Sequence, residues 1–300
     1  MDLRAKLYEI APVTGRQFAI FRIALGAYLA VHFAHLIPWG AELFSRDGVL
    51  PKASMNPIHD ILPNLLAWLD SPKFVVAFLT ALVVCSALFA AGVARRSMAV
   101  ALWYGWACLF NRNVLIGNPG IPYIGLLLLL TALVPATEPW RFRRPQKDPY
   151  DFYVPRMVWG TAWLLMAVGY TFSGLIKLQS PSWVDGTAMW HLMNNPLARP
   201  GFLRDIALGF PPGVIKGMTW GALGLELLFL PLALWRVTRP FAWGAMVAMH
   251  IGIMMIVSFA DLTAGMLMLH LFTFDPRWRK ARPMPARAPL ANRWTPVQIG

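Results

Sequence analysis

Apolar residues in this chain come in long blocks, not in the alternation of a half-buried strand or the narrow stripe of a surface helix. Eight blocks stand out: about Gln17 to Ile37, Phe74 to Val93, Met98 to Ile116, Tyr123 to Val134, Val154 to Leu178, Gly217 to Leu234, Phe241 to Phe259 and Leu262 to Phe274. Several reach or approach the roughly 20 residues that a helix needs to cross a bilayer. Short breaks separate most of them, such as Arg95-Arg96 and the turn Asn118-Pro-Gly-Ile-Pro122, where proline stops helix continuation. Two long loops interrupt the series, one after the first block and one running from the fifth to about Pro212. The second has room for short helices, since Ala188 to Met193 is apolar. The predicted fold is all-α, a polytopic membrane bundle of about eight transmembrane helices forming one domain over residues 1–300. No internal repeat is visible. The last block is short, which suits a tilted or partly interfacial helix.

Charge sets the orientation. The net charge of +13 would suggest nucleic acid as a partner of a soluble protein, but only 14% of residues are charged, and 57% are hydrophobic. With eight crossings, 18 Lys and Arg residues fall on the side of the termini, 7 on the other, and Arg22 and Lys177 stay in or at the membrane. The positive-inside rule then makes both termini cytoplasmic and turns both long loops, with the Lys177 end of the fifth block, outward. The basic run Arg277 to Arg282 reads as a stop at an anionic lipid surface. A bacterial inner membrane is the expected location, with lipid as a partner and no nucleic acid. The N-terminus lacks the pattern of a cleaved signal, so the first block is expected to remain. Cys85 and Cys108 fall inside predicted spans and suggest neither a disulfide nor a metal site.

Against this apolar background a few polar groups need a reason. Lys177 ends the fifth block, followed by the turn Pro181-Ser-Trp-Val-Asp-Gly186. A boundary lysine either snorkels its ammonium to the interface or marks a site. Arg22 and Glu226 are each flanked by apolar residues, and a buried ion pair between them is one reading. His250 sits mid-block among methionines, as an interhelical contact or as an acid–base group. Asn118 is a turn residue by default. His32 and His35 have no carboxylate or cysteine in sequence at metal-ligand spacing, so no metal is expected.

Together these residues resemble a known family. Phe21-Arg22-Ile-Ala-Leu-Gly26 with Arg46-Asp-Gly-Val-Leu-Pro51 is similar to the first span and outer loop of the HTTM (horizontally transferred transmembrane) family, the bacterial relatives of vitamin K-dependent γ-glutamyl carboxylase. Ser173-Gly-Leu-Ile-Lys177-Leu178 followed by Trp183-Val-Asp-Gly186 resembles the segment carrying the carboxylase's active-site lysine. Glu226, Leu230 to Trp235, Arg239-Pro240 and His250 onward to Asp275-Pro276 continue the likeness over nearly the whole chain.

The resemblance implies an enzyme in which Lys177 deprotonates a reduced quinone, menaquinol or a vitamin K hydroquinone. Oxygen and CO2 would be co-substrates, and a peptide glutamate the acceptor. It implies catalytic roles for Lys177 and His250, and cofactor contacts for Asn118, Arg22 and Trp183. Two departures bear on carboxylation itself. The carboxylases carry an asparagine-histidine pair where this chain has Asn118-Pro-Gly120, and a large lumenal domain like theirs is not expected after Pro276. A peptide substrate would then need the outer loops or a partner protein. The other classes open to such a sequence are a non-catalytic component for maturing or exporting a peptide and a small transporter.

The orientation is directly testable. A reporter fused after Gly300 is expected to be cytoplasmic, and single cysteines placed near Lys52 and Arg199 are expected to react with an impermeant reagent from outside. Labelling at Arg143 from outside would overturn the charge argument.

Overall fold

The computed structural model describes residues 11–118, 120–135, 152–258 and 260–278. Among them no strand forms, and an antiparallel bridge joins Ala198 and Val257. Eight helices have 13 residues or more: α1 (Gly15–Leu36), α2 (Pro72–Ala90), α3 (Arg95–Arg112), α4 (Ile121–Leu133), α5 (Arg156–Lys177), α6 (Pro212–Leu227), α7 (Arg239–Ile256) and α8 (Ala260–Thr273). Among the described residues four segments are long and apolar enough to cross a membrane: Gly15–Phe44, which includes α1, and α2, α5 and α7. The other four fall short for visible reasons. Helices α4, α6 and α8 have 13, 16 and 14 residues, and α3 carries three arginines.

α1 packs on α2, α3 on α4, and α5 on α6, while α8 touches α1, α4, α5 and α7. The last helix therefore ties the first half of the bundle to the second. One continuous apolar core runs from Ala11 to Phe272, with Phe18, Phe21 and Phe272 meeting where α1 crosses α8. The long loops are folded against helix ends. Asn64 donates to Cys108 O at 3.0 Å and Asn111 Oδ1 at 2.9 Å, while Asn111 donates to Ile58 O at 2.6 Å. This use of Asn111, with Asn113 bonded to Leu43 O, explains why α3 stops at Arg112 instead of continuing to Ile116. In the second loop, Arg199 N–H and Ser258 N–H donate across to Ile256 and Leu197 carbonyls, both at 2.7 Å.

Arginines, two of them fully buried and Arg239 half-buried, satisfy helix C-termini, where the last carbonyls lack intrahelical partners and the helix dipole favours cations. Arg22, fully buried, donates to Phe89 O at 3.0 Å and Ala90 O at 2.6 Å at the end of α2. Arg95 does the same for α4 through Thr131, Val134 and Pro135 carbonyls. Arg239 donates to Ala233 O at 2.5 Å at the end of the short helix Phe229–Leu234. The terminal residues Arg4 and Lys6, the basic loop with Arg141, Arg143, Arg144 and Lys147, and the tail beyond Trp278 lie outside the described residues.

The end of α2 can be tested. Gly92 there has φ +74°, with its N–H on Phe89 O and Val93 N–H on Leu88 O, so the chain turns back over the last carbonyls. A Cβ at Gly92 would lie 2.5 Å from Arg22 Nη1. Gly92→Ala is expected to lower the apparent Tm in detergent, with the left-handed backbone alone costing about 1–2 kcal/mol. An unchanged Tm would contradict the Arg22 cap.

Candidate functional site

α5 and α6 run antiparallel, and the side chains of each helix tilt toward its own N-terminus. Lys177, on the last turn of α5, leans back along the helix, and Glu226, near the end of α6, leans the opposite way. The two meet: Lys177 Nζ bonds both carboxylate oxygens of Glu226. Glu226 is buried and Lys177 largely so, with side-chain exposures of 6% and 23%. The ammonium also lies 4.6 Å from the centroid of the Trp183 ring, in cation–π contact. Three of the residues singled out from the sequence thus form one cluster.

A break in α6 presents Glu226. Pro231 has no N–H to give and crowds the carbonyl four residues back, so the helix stops at Leu227 and resumes over Phe229–Leu234. Thr171 of α5 inserts its hydroxyl into the opening. It accepts from Leu230 N–H at 3.1 Å and donates to Glu226 O at 3.3 Å, in place of the bond those two groups would make to each other. On the same face Gly174 meets Leu227 so closely that a Cβ would stand 2.9 Å from its nitrogen. The last two turns of α5 therefore mend the break and carry the partner lysine.

Deeper in the bundle lies a second polar group. Tyr170 OH bonds His250 Nε2 at 2.7 Å, and both rings face His270 of α8, with centroids 5.8 Å and 6.1 Å away. Tyr123 of α4 reaches across to α5, where a Cβ on Gly169 would lie 2.0 Å from its oxygen. Beyond α5, in the turn after Trp183, Asp185 bonds the Thr187 hydroxyl at 2.6 Å and its amide at 2.9 Å, which holds the carboxyl below its usual range.

The remaining predicted residues lie elsewhere. The expected Arg22–Glu226 pair does not form, because Arg22 is committed to the carbonyls ending α2 while Glu226 is held by Lys177. Asn118 makes a turn, accepting from Gly120 N–H at 2.9 Å, and Gly120 packs against Asp261 and Leu262 at the start of α8. There Asp261 accepts from Tyr28 at 2.9 Å and bonds His32 Nδ1 at 3.1 Å, so His32 has the carboxylate partner its neighbours in sequence did not supply. Sequence reasoning passed over Thr171, His270 and Asp261. Pro231, five residues after Glu226, was the available signal for the break that Thr171 mends. Among the described residues no group of three His, Cys, Asp or Glu side chains is placed to hold a metal ion.

Beside the polar cluster is an apolar cavity of about 360 Å³ between α6, α7 and the short helix Ala188–Met193. Its walls include Met218, Gly221 and Leu225 of α6 and Met249, Gly252 and Ile256 of α7. Leu225 and Met249 are the chain neighbours of Glu226 and His250. The chain matches no family model, no curated protein and no solved structure.

The ion pair predicts a specific pattern of stabilities. Glu226→Gln strands a buried ammonium and is expected to cost about 3–5 kcal/mol, whereas Lys177→Met combined with Glu226→Leu recovers much of the loss. A double-mutant cycle on unfolding in detergent checks this, and additive losses for the two positions would mean that they do not touch. Glu226→Gln and Arg22→Gln, by contrast, should add.

Proposed function

We propose that this chain is a membrane-embedded enzyme of the γ-carboxylase-like kind, using a reduced quinone, with Lys177 and Glu226 handling the proton of a quinol hydroxyl. The observation that carries the reading is the Lys177–Glu226 pair itself, held inside an apolar bundle next to Trp183. The pair holds one proton between the amine and the carboxylate. With that proton on Glu226, Lys177 is a neutral amine whose lone pair can take a hydroxyl proton. A quinol hydroxyl ionises near the tyrosine value of roughly 10, so an amine of comparable basicity matches it. The ammonium formed then stands beside the oxyanion left behind and offsets its charge.

The cavity supports this reading by its chemistry. Its volume falls within the roughly 300–1,000 Å³ range of ligand pockets, and its methionine-rich walls suit an apolar ring or tail. In this reading all eight helices cross the membrane, both termini are cytoplasmic, and Lys177 opens to the outer face of a bacterial inner membrane. Oxygen and CO2 are co-substrates, and a peptide glutamate delivered by the outer loops or a partner protein is the acceptor. Those parts rest on the resemblance.

The test uses the fact that a guanidinium can keep the ion pair yet cannot serve as a base. Oxygen uptake with a naphthoquinol is measured in nanodiscs for wild type, Lys177→Arg and Lys177→Met at matched folded amounts. Wild type is expected to consume oxygen, and both variants are expected to insert and to lose the activity. Equal uptake by wild type and Lys177→Arg would leave Lys177 a structural cation and refute the proposal.

A further inference from the structure

His250 and His270 each bury a ring nitrogen that finds no hydrogen-bond partner among the described residues, Nδ1 of His250 and Nε2 of His270. The two residues are only 4% and 1% exposed. The neighbouring bonds fix which nitrogen carries the proton in each neutral ring. His270 Nδ1 faces the Met266 carbonyl at 2.8 Å, and a carbonyl only accepts, so the proton is on Nδ1 and Nε2 holds a bare lone pair. Among the described residues Tyr170 OH bonds only His250 Nε2, at 2.7 Å, and a buried phenol hydrogen needs an acceptor; with Tyr170 as the donor, His250 Nε2 holds the lone pair and the proton of that ring is on Nδ1. The two orphans are therefore complementary, one donor and one acceptor.

We propose that His250 and His270 together form a binding site for one hydroxyl group, whose oxygen accepts from His250 Nδ1–H and whose hydrogen goes to His270 Nε2. A hydroxyl satisfies both nitrogens at once. A carbonyl would leave His270 unpaired, and an ammonium would leave His250 unpaired. The ring centroids are 6.1 Å apart, a separation at which one oxygen reaches both nitrogens when those edges of the rings face each other. The surroundings hold the rings in place. Trp243 donates its indole N–H to His270 O at 3.2 Å, and Tyr170 packs edge-on against Phe229. The charged groups nearest the cluster are Lys177 and Glu226, already paired with each other. The hydroxyl belongs either to a water molecule or to a hydroxyl-bearing ring compound from the membrane. The site does not depend on the quinol reading above.

The experiment is 15N solid-state NMR of the full chain in proteoliposomes. Each of the six histidines follows a different residue type, so carbonyl-13C methionine with 15N-histidine selects His250, and carbonyl-13C leucine selects His270. Both rings are expected to be neutral with the proton on Nδ1, and His270 Nε2 is expected to show the shift of a lone pair engaged by a donor. If the hydroxyl is water's, magnetisation from water reaches His270 Nε2 and adding 1,4-naphthoquinol leaves the signal unchanged. If it is the ligand's, naphthoquinol shifts the Nε2 resonance and removes the transfer from water. A proton on His250 Nε2, or a His270 Nε2 resonance at the position of a free lone pair with and without naphthoquinol, would overturn the proposal. Retention of the site in Lys177→Arg separates its fate from that of the proposed activity.

Discussion

The second half of this bundle is organised by the cost of keeping a carboxylate and an ammonium away from water. Either charge alone inside an apolar helix pair would be expelled or neutralised, since each loses several kcal/mol of hydration. Paired, they hold each other, but only where two helices deliver them to the same point. α5 brings Lys177 on its final turn, and α6 must expose Glu226 toward it. The break forced by Pro231 and mended by Thr171 serves that end. It frees the Glu226 carbonyl and the Leu230 amide from their mutual bond and gives both to one hydroxyl of the facing helix. The register of α5 against α6 is thus fixed by three polar contacts within two turns, with Gly174 allowing the backbones to approach.

The arginines follow a different rule. Arg22, Arg95 and Arg239 donate to carbonyls at helix ends, where a cation meets unpaired acceptors and the negative end of the dipole. A guanidinium suits this because its fork can bond two carbonyls at once. Two of these arginines also count toward the charge asymmetry that orients the chain. The same residues can therefore report topology and close helices, and a charge count alone does not separate the two roles.

These rules explain what could be read from the sequence. Seven of the eight apolar blocks each match one helix within a few residues, because helix formation in an apolar stretch follows from the backbone's need to bond itself, while the sixth, Gly217 to Leu234, runs across the break between α6 and the short helix Phe229–Leu234. Lys177 and Glu226 stood out as polar groups in apolar surroundings and Trp183 through the resemblance, and the three come together. The partner of Glu226 was misassigned, since two cations were equally plausible by sequence and only the antiparallel register of α5 and α6 chooses between them. Asn118 and Arg22 kept local jobs, as a turn and a helix end. Thr171, Asp261 and His270 were invisible for a common reason. Each gains its meaning from a neighbour far along the chain, respectively Leu230, Tyr28 and His250, and no local pattern records such a meeting.

The polar cluster and the apolar cavity share the same two helices. On α6 Leu225 lines the cavity and Glu226 holds Lys177. On α7 Met249 lines the cavity and His250 bonds Tyr170. Consecutive residues on a helix point about 100° apart, so each helix turns one face to the cavity and the adjoining face to the polar groups. No side chain has to cross from one to the other. A body filling the cavity presses on the same backbone turns that carry Glu226 and His250, while Gly221 and Gly252 leave open space before their own Cβ positions. The shape of whatever lies between α6 and α7 is therefore coupled, through one residue of helix on each side, to the placement of the carboxylate and the imidazole.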